Sequence, residues 1–335
     1  MNYLTNDGFL NGCLPADEKT LQLQSELQDR AVSFSTLYTQ GQMPILKWDS
    51  DWEQFLKQRG NIVAEMLRER TRCIFPWEVL KHLPKEQKTG DLLYFSQGSR
   101  PSCMGHADDF AYRSSVLSCI GLGSPLVYEP TNPYYTWVLS KGGSQSGGQS
   151  PTPMARTANE IGHFTVAQVG DDNTSFSAVY KNYLNEAAKR QSAIVFIEGS
   201  GKELAQRIVQ VVKAGFGVAL GNSLAVSGTA VDSNNIEIAE LGGSWAHATS
   251  FAAWFEKNGQ EYLFWVNSHG KRYKKSTFGE PFDGAWMRVD KELPRFVASA
   301  TIYGQPYAVI PEAVYLPKSK LEIGFECPVP TAKNI

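Results

Sequence analysis

"QGSRPSCMGH", residues 97–106, places a single thiol where a polar loop gives way to a helical pattern. From Cys103 onward, apolar side chains recur at helical spacing as far as the GLGSP segment at 121–125. This pattern predicts a helix that begins at Cys103. The N–H dipoles of a helix amino terminus favour a thiolate and lower the pKa of a nearby thiol. Cys103 is therefore a candidate nucleophile.

Composition indicates a folded protein with a sizeable core. The chain has 335 residues, of which 42% are hydrophobic and 20% are charged, and its formal net charge is −2. That length allows one large unit or two closely packed ones. The densest basic segment, GKRYKK at 270–275, is too short for the basic stripe that nucleic acid binding requires. We expect no nucleic acid partner.

Cysteine usage and hydropathy indicate a reducing location. The five cysteines are scattered and form no Cys-x-x-Cys pair, which argues against a disulfide framework and a structural zinc site. No basic, apolar leader opens the chain, and no apolar segment is long enough to span a membrane. We expect the protein to be located in the cytoplasm or in a viral particle and to lack a classical signal peptide. We also expect no contact with a membrane and no cofactor. The cysteines are Cys13, Cys73, Cys103, Cys119 and Cys327.

The order of helical and strand-like segments predicts an α+β protein in three parts. Residues 1–45 are a polar arm with one modest helix after Asp17; residues 46–190 form a helical lobe, and residues 191–335 form a β-rich lobe. The arm either wraps its own domain or binds an assembly partner. Helices are expected near 49–70, 75–84, 103–120, 153–161, 176–190, 202–215 and 290–296, and strands near 164–170, 193–199, 217–222 and 234–240.

A β-hairpin is expected where the runs 246–256 and 260–270 flank an Asn-Gly pair. A two-residue turn would pair 257 with 260 and leave His247 and Asn267 on opposite faces. A three-residue turn with a glycine bulge would pair 256 with 260, so that 249 faces 267. His247 and Asn267 would then share one face as diagonal neighbours.

These residue types together suit nucleophilic catalysis. His247 is a candidate general base, Asn267 can orient its imidazole, and Gln97 can donate a hydrogen bond to an oxyanion. Each residue alone is more often structural: a buried cysteine, a half-buried histidine, a turn asparagine. Their combination is what favours chemistry.

The sequence resembles the papain-like cysteine peptidases over roughly residues 70–320. In that family Gln-Gly-Ser-x-x-Ser-Cys opens the central helix, and residues 97–103 match it, with Gln97 six positions before Cys103. The family's His-Ala pair is matched by 247–248 and its Asn-Ser-Trp-Gly by 267–270. The resemblance implies a two-lobed fold, in which Cys103 is the nucleophile, His247 the base, Asn267 the orienting residue and Gln97 the oxyanion donor.

The resemblance also implies a pair of glycines that binds the substrate. Gly147-Gly148 is the preferred match for that pair, although the neighbouring pair at 142–143 competes for the role.

The sequence also departs from the family pattern. Met104 and His269 replace aromatic residues of the family, and His269 is expected to shield the His–Asn bond less well than tryptophan. His106 adds an imidazole three residues after Cys103, either as half of a zinc pair or, with no second pair at ligand spacing, as a core or surface residue.

Three functions remain open at this point. The first is hydrolysis of peptide or isopeptide bonds in a protein substrate through a thioester intermediate. The second is a catalytically weakened papain-like docking component of a larger assembly such as a viral particle, which would use the arm. The third is hydrolysis or transamidation of amides other than protein.

Overall fold

The computed structural model describes residues 12–34, 43–69, 75–91, 96–170, 179–270, 277–280 and 283–311. Cys73, Cys327 and most of the basic segment at 270–275 lie outside them. The helices are α1 (Glu18–Asp29), α2 (Ser50–Glu69), α3 (Pro76–His82), α4 (Cys103–Gly121), α5 (Pro133–Ser140), α6 (Pro151–Glu160), α7 (Val166–Val169), α8 (Val179–Ala187), α9 (Gly201–Lys213) and α10 (Glu292–Val297). The strands are β1 (Ile45–Leu46), β2 (Ser192–Phe196), β3 (Val218–Val231), β4 (Glu237–Lys257), β5 (Gln260–Val266), β6 (Gly284–Arg288) and β7 (Tyr307–Pro311).

These strands form one mostly antiparallel sheet in the order β1-β2-β7-β3-β4-β5-β6. Helix α4 packs on one face of the sheet, and α9 and α10 pack on the other, with α2 against α9. The helical lobe gathers α3, α5 and α6 around α4. The predicted α+β class, with a cysteine-bearing helix between a helical lobe and a β-rich lobe, is confirmed.

Helix α4 is the centre of the fold, because every residue from Cys103 to Gly121 is buried. Ser115 fastens this helix to the sheet. Its hydroxyl lies within hydrogen-bond distance of two carbonyl oxygens, Ala111 O at 2.9 Å and Val309 O at 2.7 Å, which share its one hydrogen, and it accepts the Gly217 N–H at 2.8 Å. A Cβ at Gly217 would lie 2.3 Å from Ala111 O, so only glycine allows this approach. The position of Cys103 is thereby fixed relative to the strands.

The hairpin has the two-residue turn, and the three-residue alternative is wrong. Lys257 pairs with Gln260, and Asn258 and Gly259 both have positive φ, 52° and 77°, as a type I′ turn requires. A β-bulge then shifts the register by one residue, since Phe251 pairs with Trp265 but Ala253 pairs with Phe264. Beyond the bulge Ser250 faces Val266. Continuing that register puts 249 opposite 267 and 247 opposite 269, as the rejected turn would have done.

The strand expected at 164–170 is wrong, because a short helix occupies this segment. Thr165 caps α7: its hydroxyl accepts the Gln168 N–H at 3.3 Å, and the Gln168 side chain accepts the Thr165 N–H at 2.9 Å. This reciprocal capping box satisfies amide groups that a strand would otherwise pair. The apolar run is too short for its periodicity to distinguish the two structures.

The described part of the N-terminal arm lies on the chain's own helical lobe. Helix α1 begins after Asp17, whose carboxylate accepts the Thr20 N–H at 2.8 Å, and it packs against α6. The hydroxyls of Thr20 and Ser150 are 3.3 Å apart.

None of the helices in the described ranges is long and apolar enough to cross a membrane.

We predict that Ser115→Ala lowers the free energy of unfolding by about 1–3 kcal/mol, because it leaves the buried Gly217 N–H without its acceptor. Urea unfolding followed by tryptophan fluorescence measures the change. The matched control is Ser114→Ala, since Ser114 is also buried on α4 but is not bonded to the sheet within the described residues. The Ser114→Ala variant should change the free energy of unfolding by less than about 0.5 kcal/mol. Equal losses in the two variants would contradict the role given to Ser115.

Candidate active site

Cys103 and His247 come from opposite sides of the interface between helix and sheet. Cys103 opens α4 and is fully buried, and its Sγ accepts the backbone N–H of Ala248 at 3.3 Å. Ala248 follows His247 in β4, where Gly221 and Asn222 of β3 face this pair. The fold therefore brings the thiol beside the backbone that carries the candidate base.

Asn267 holds the imidazole of His247 in one orientation. His247 Nε2 lies 2.7 Å from Asn267 Oδ1, and this oxygen also accepts the Ser268 N–H at 2.9 Å. Because an amide oxygen only accepts, Nε2 must carry the proton, and Nδ1 is then the basic nitrogen. His247 and Asn267 are both buried, which protects the bond from competition by water.

Two aromatic rings enclose the imidazole of His247. The His269 ring packs on it with centroids 4.0 Å apart, and the Trp245 ring meets it edge-on at 4.8 Å. Trp245 is itself held, because its Nε1 donates to Asn222 Oδ1 at 3.0 Å. His269 is itself only 2% exposed, so the ring that packs on His247 is also buried.

Gln97 joins the cysteine loop to the asparagine loop. Its backbone N–H donates to Ser268 O at 2.8 Å, and its Oε1 accepts from the Ser268 hydroxyl at 2.5 Å. Its Nε2 donates one hydrogen to Arg100 O at 2.8 Å. A side-chain amide nitrogen carries two hydrogens. For the predicted oxyanion role, Gln97 would have to donate the hydrogen of Nε2 that does not bond Arg100 O.

The two glycine pairs have different structural roles. Gly142 and Gly143 end α5, where the Gly143 N–H donates to Val138 O at 2.9 Å. Gly148 instead lies against an extended peptide segment, because a Cβ at Gly148 would come within 2.4 Å of Gly12 O. Gly147 precedes it with a positive φ of 72°.

That extended peptide is the chain's own segment at residues 12–14. Gln149 N donates to Gly12 O at 2.6 Å, and Leu14 N donates to Gln149 O at 3.2 Å, in a parallel bridge centred on Cys13. On the other side, a Cβ at Gly12 would lie 2.0 Å from Pro101 O. The segment thus crosses the cleft between the Cys103 loop and Gly148.

Burial reverses the effect that the helix terminus was expected to have on the thiol. Desolvation raises the pKa of Cys103 to about 12, although the backbone N–H groups of Ala248 and Gly12 act in the opposite direction. The prediction of a lowered pKa is wrong for this arrangement, because the charged form loses more from the absence of water than it gains from nearby dipoles. The thiol is protonated at neutral pH while the segment 12–14 covers it.

His106 is a structural residue of the helix start. Its Nδ1 lies 2.9 Å from Ser102 O, and burial lowers the pKa of its imidazole to about 4, which keeps the ring neutral.

Among the residues described, no three His, Cys, Asp or Glu side chains are grouped so that they could hold a metal ion.

Sequence reasoning missed three residues that shape this site. Asp283 accepts from Asn267 Nδ2 at 2.9 Å, Cys13 packs its Sγ against Gly221, and Trp245 encloses the imidazole. The signal for Trp245 was present, because it lies two residues before His247 and strand side chains alternate. Asp283 and Cys13 meet the site only through the tertiary fold, so no local pattern pointed to them.

We predict that Cys103 in the full chain reacts slowly with iodoacetamide and that its rate rises without a plateau up to pH 10. Below its pKa a thiol gains thiolate about tenfold per pH unit, and burial places the pKa of Cys103 at about 12. Peptide mass spectrometry follows Cys103 separately from the other cysteines, with Cys103→Ala as the blank. A plateau near neutral pH would show that the thiolate already forms in the covered state and would contradict the effect of burial.

The chain resembles several solved papain-like cysteine proteases in structure, at low sequence identity. No protein-family model matches the sequence, and a search of curated proteins finds no match. Xylellain, a cysteine protease from Xylella fastidiosa, is 12% identical with a TM-score of 0.42, over 69% of this chain and 88% of that one. Procathepsin L 3 of the Tenebrio molitor larval midgut is 13% identical with a TM-score of 0.40, over 87% and 90%.

A ragweed pollen cysteine protease in its proform, Amb a 11, is 13% identical with a TM-score of 0.40, over 65% of this chain. The match spans 61% of the length of that proform. The chemistry assigned to the present chain consequently rests on the contacts of its own residues.

Proposed function

We propose that this protein is a thiol hydrolase that cleaves peptide or isopeptide bonds through a thioester at Cys103. The observation that carries the proposal is the 2.7 Å bond from His247 to Asn267, on the strand whose next amide contacts the thiol sulfur. A nucleophile, a base with one assigned tautomer and an orienting amide are the parts that such a reaction needs.

The reaction proceeds in two halves. His247 Nδ1 takes the thiol proton, and the thiolate attacks the carbonyl carbon of the scissile bond. The Cys103 N–H and the Gln97 amide stabilise the oxyanion, worth about 10²–10³-fold for each well-placed donor. The imidazolium then gives its proton to the leaving amine, and a thioester remains on Cys103. Water, deprotonated by His247, attacks the thioester and releases the acid and the thiol.

The cleft edge favours a peptide over other amides as substrate. Gln149 uses both its N–H and its C=O to bind the extended backbone of residues 12–14, which is recognition of a peptide by strand addition. A protein or peptide substrate can make the same two bonds once residues 12–14 leave. An amide without a peptide backbone lacks the groups to do so.

The docking alternative is less well supported by this geometry. An assembly component has no use for a buried imidazole whose orientation is fixed by Asn267 and whose neighbouring amide contacts a thiol, and buried polar pairs cost stability unless they are fully bonded. We therefore favour the hydrolase, and we treat assembly through the arm as the second candidate.

We predict that, in the chain lacking residues 2–14, Cys103→Ala abolishes peptide hydrolysis and labelling by a thiol-directed epoxide, because both reactions need the sulfur. Asn267→Ala should lower the hydrolysis rate by roughly 10²-fold or more, since an unoriented base loses most of the 10²–10⁴-fold that general base catalysis provides. Both are measured on a fluorogenic peptide library and by mass spectrometry of the labelled chain.

The control for the loss of a thiol is Cys119→Ser, at the far end of the same helix. Cys119 accepts a hydrogen bond from Arg59 at 3.2 Å, which a serine hydroxyl can also accept. This variant should keep both activities. Persistent epoxide labelling of the Cys103→Ala chain would overturn the assignment of the nucleophile.

We predict that deleting residues 2–14 speeds labelling of Cys103 at pH 7.5 by at least about tenfold, because solvation of the thiol brings its pKa down. The pH profile of the shortened chain should reach a plateau at lower pH than that of the full chain. Labelling with iodoacetamide, followed by peptide mass spectrometry, measures both effects.

A point variant separates the opening of the cleft from a general effect of deletion. Gly148→Ala adds a Cβ that would lie 2.4 Å from Gly12 O, so it should displace the segment and also speed labelling. Gly142→Ala adds a methyl group with no neighbour within 4 Å; its φ of 63° makes this change locally strained, but it does not touch residues 12–14 and should leave the labelling rate unchanged. Unchanged rates in both the deletion and the Gly148 variant would show that residues 12–14 do not control access.

A further inference from the structure

We propose that Asp283 is a positioning residue of this site, one that fixes which end of the Asn267 amide faces His247. The proposal rests on the proposed function, because it concerns how the base is prepared for its reaction. Asp283 acts through Asn267 and is not itself assigned contact with the reacting atoms.

The contacts between Asp283 and Asn267 are double and buried. Asn267 Nδ2 donates to Asp283 Oδ2 at 2.9 Å, and the Asn267 backbone N–H donates to the Asp283 carbonyl oxygen, also at 2.9 Å. Asp283 is 1% exposed and Asn267 is 2% exposed. A carboxylate is rarely buried unless it is hydrogen-bonded. The bond from Asn267 offsets part of the free-energy cost of burying Asp283.

The strands around Asp283 hold it at this distance. It immediately precedes β6, whose Gly284 pairs with Val266 of β5. A Cβ at Gly284 would lie 2.3 Å from Trp265 O, so glycine permits the close approach of the two strands here. Asn267 follows the end of β5 and Asp283 precedes the start of β6, so the two residues face each other one step beyond the Val266–Gly284 pair.

The chemical consequence follows from what each group can donate. A side-chain amide can turn either its oxygen or its nitrogen toward His247, but a carboxylate only accepts hydrogen bonds. With Asp283 on one side, the Asn267 nitrogen must face the carboxylate and its oxygen must face His247. The Ser268 N–H supports the same orientation through its bond to Oδ1. The imidazole consequently holds its proton on Nε2 and keeps Nδ1 as the base.

Three variants of the full chain test this role. Asp283→Ala removes the acceptor, so the Asn267 amide can turn and the Nδ1–H tautomer of His247 should become populated. Asp283→Asn supplies an amide that can accept or donate, so an intermediate population is expected. The double variant Asp283→Asn with Asn267→Asp reverses the roles, because the new amide donates to the new carboxylate, which accepts from Nε2. It should restore the Nε2–H tautomer.

The readout is the nitrogen spectrum of the imidazoles, from long-range ¹H–¹⁵N correlation in chains labelled at histidine, with His247→Gln to assign the signals. The alanine variant is first checked for cooperative unfolding, and if it does not fold, the single and double asparagine variants carry the test. A wild-type tautomer in every folded single variant would overturn the proposal. So would a folded double variant that fails to restore it.

This readout is independent of hydrolysis. If neither the full chain nor the chain lacking residues 2–14 cleaves a peptide but Asp283 variants shift the tautomer as described, the positioning role stands and the proposed function fails. If the wild-type chain cleaves peptides and no variant shifts the tautomer, the function stands and the role of Asp283 fails.

Discussion

The hydrogen bond between His247 and Asn267 depends on a single extra residue in β4. A two-residue turn joins β4 to β5, and an unbroken register from that turn would leave the imidazole and the amide on opposite faces of the sheet. The bulge between Phe251 and Ala253 shifts the pairing by one residue and brings both side chains to the same face of the sheet. Every later feature of the site, including the role given to Asp283, presupposes this shift.

The same architecture sets two opposing influences on the thiol. The start of α4 and the Ala248 N–H favour a thiolate, whereas burial under residues 12–14 favours the neutral thiol and raises the pKa of Cys103. Burial dominates in the covered state. In the proposed function, the reactivity of Cys103 is therefore coupled to the position of the chain's own segment, because the group that blocks access also removes the water that would stabilise the charge.

Much of the fold could be predicted from the sequence, because the signals are local. The helix at Cys103 and the amphipathic α2 and α9 follow from apolar spacing, and the Asn-Gly turn follows from its need for positive φ. The strand expected at 164–170 failed because a capping box outweighed a short apolar run. The bulge in β4 could not be predicted, because no turn residue or other local pattern marks it.

The site could be predicted only in part, for the same reason. Cys103, His247, Asn267 and Gln97 stand in recognisable local contexts, so their chemistry could be proposed from residue types. Asp283 and Cys13 reach the site from distant parts of the chain, and the burial that raises the pKa of Cys103 belongs to the assembled cleft. Properties created by tertiary contact have no signature in a short segment.

The most direct measurement of the central claim is the intact mass of the chain lacking residues 2–14, in which the thiol is uncovered, after brief exposure to a small activated ester at neutral pH. The account predicts a single acyl group on Cys103, attached as a thioester that neutral hydroxylamine removes and that decays more slowly when Asn267 is alanine. Acylation at another residue, or a Cys103 thioester whose lifetime does not depend on Asn267, would contradict it.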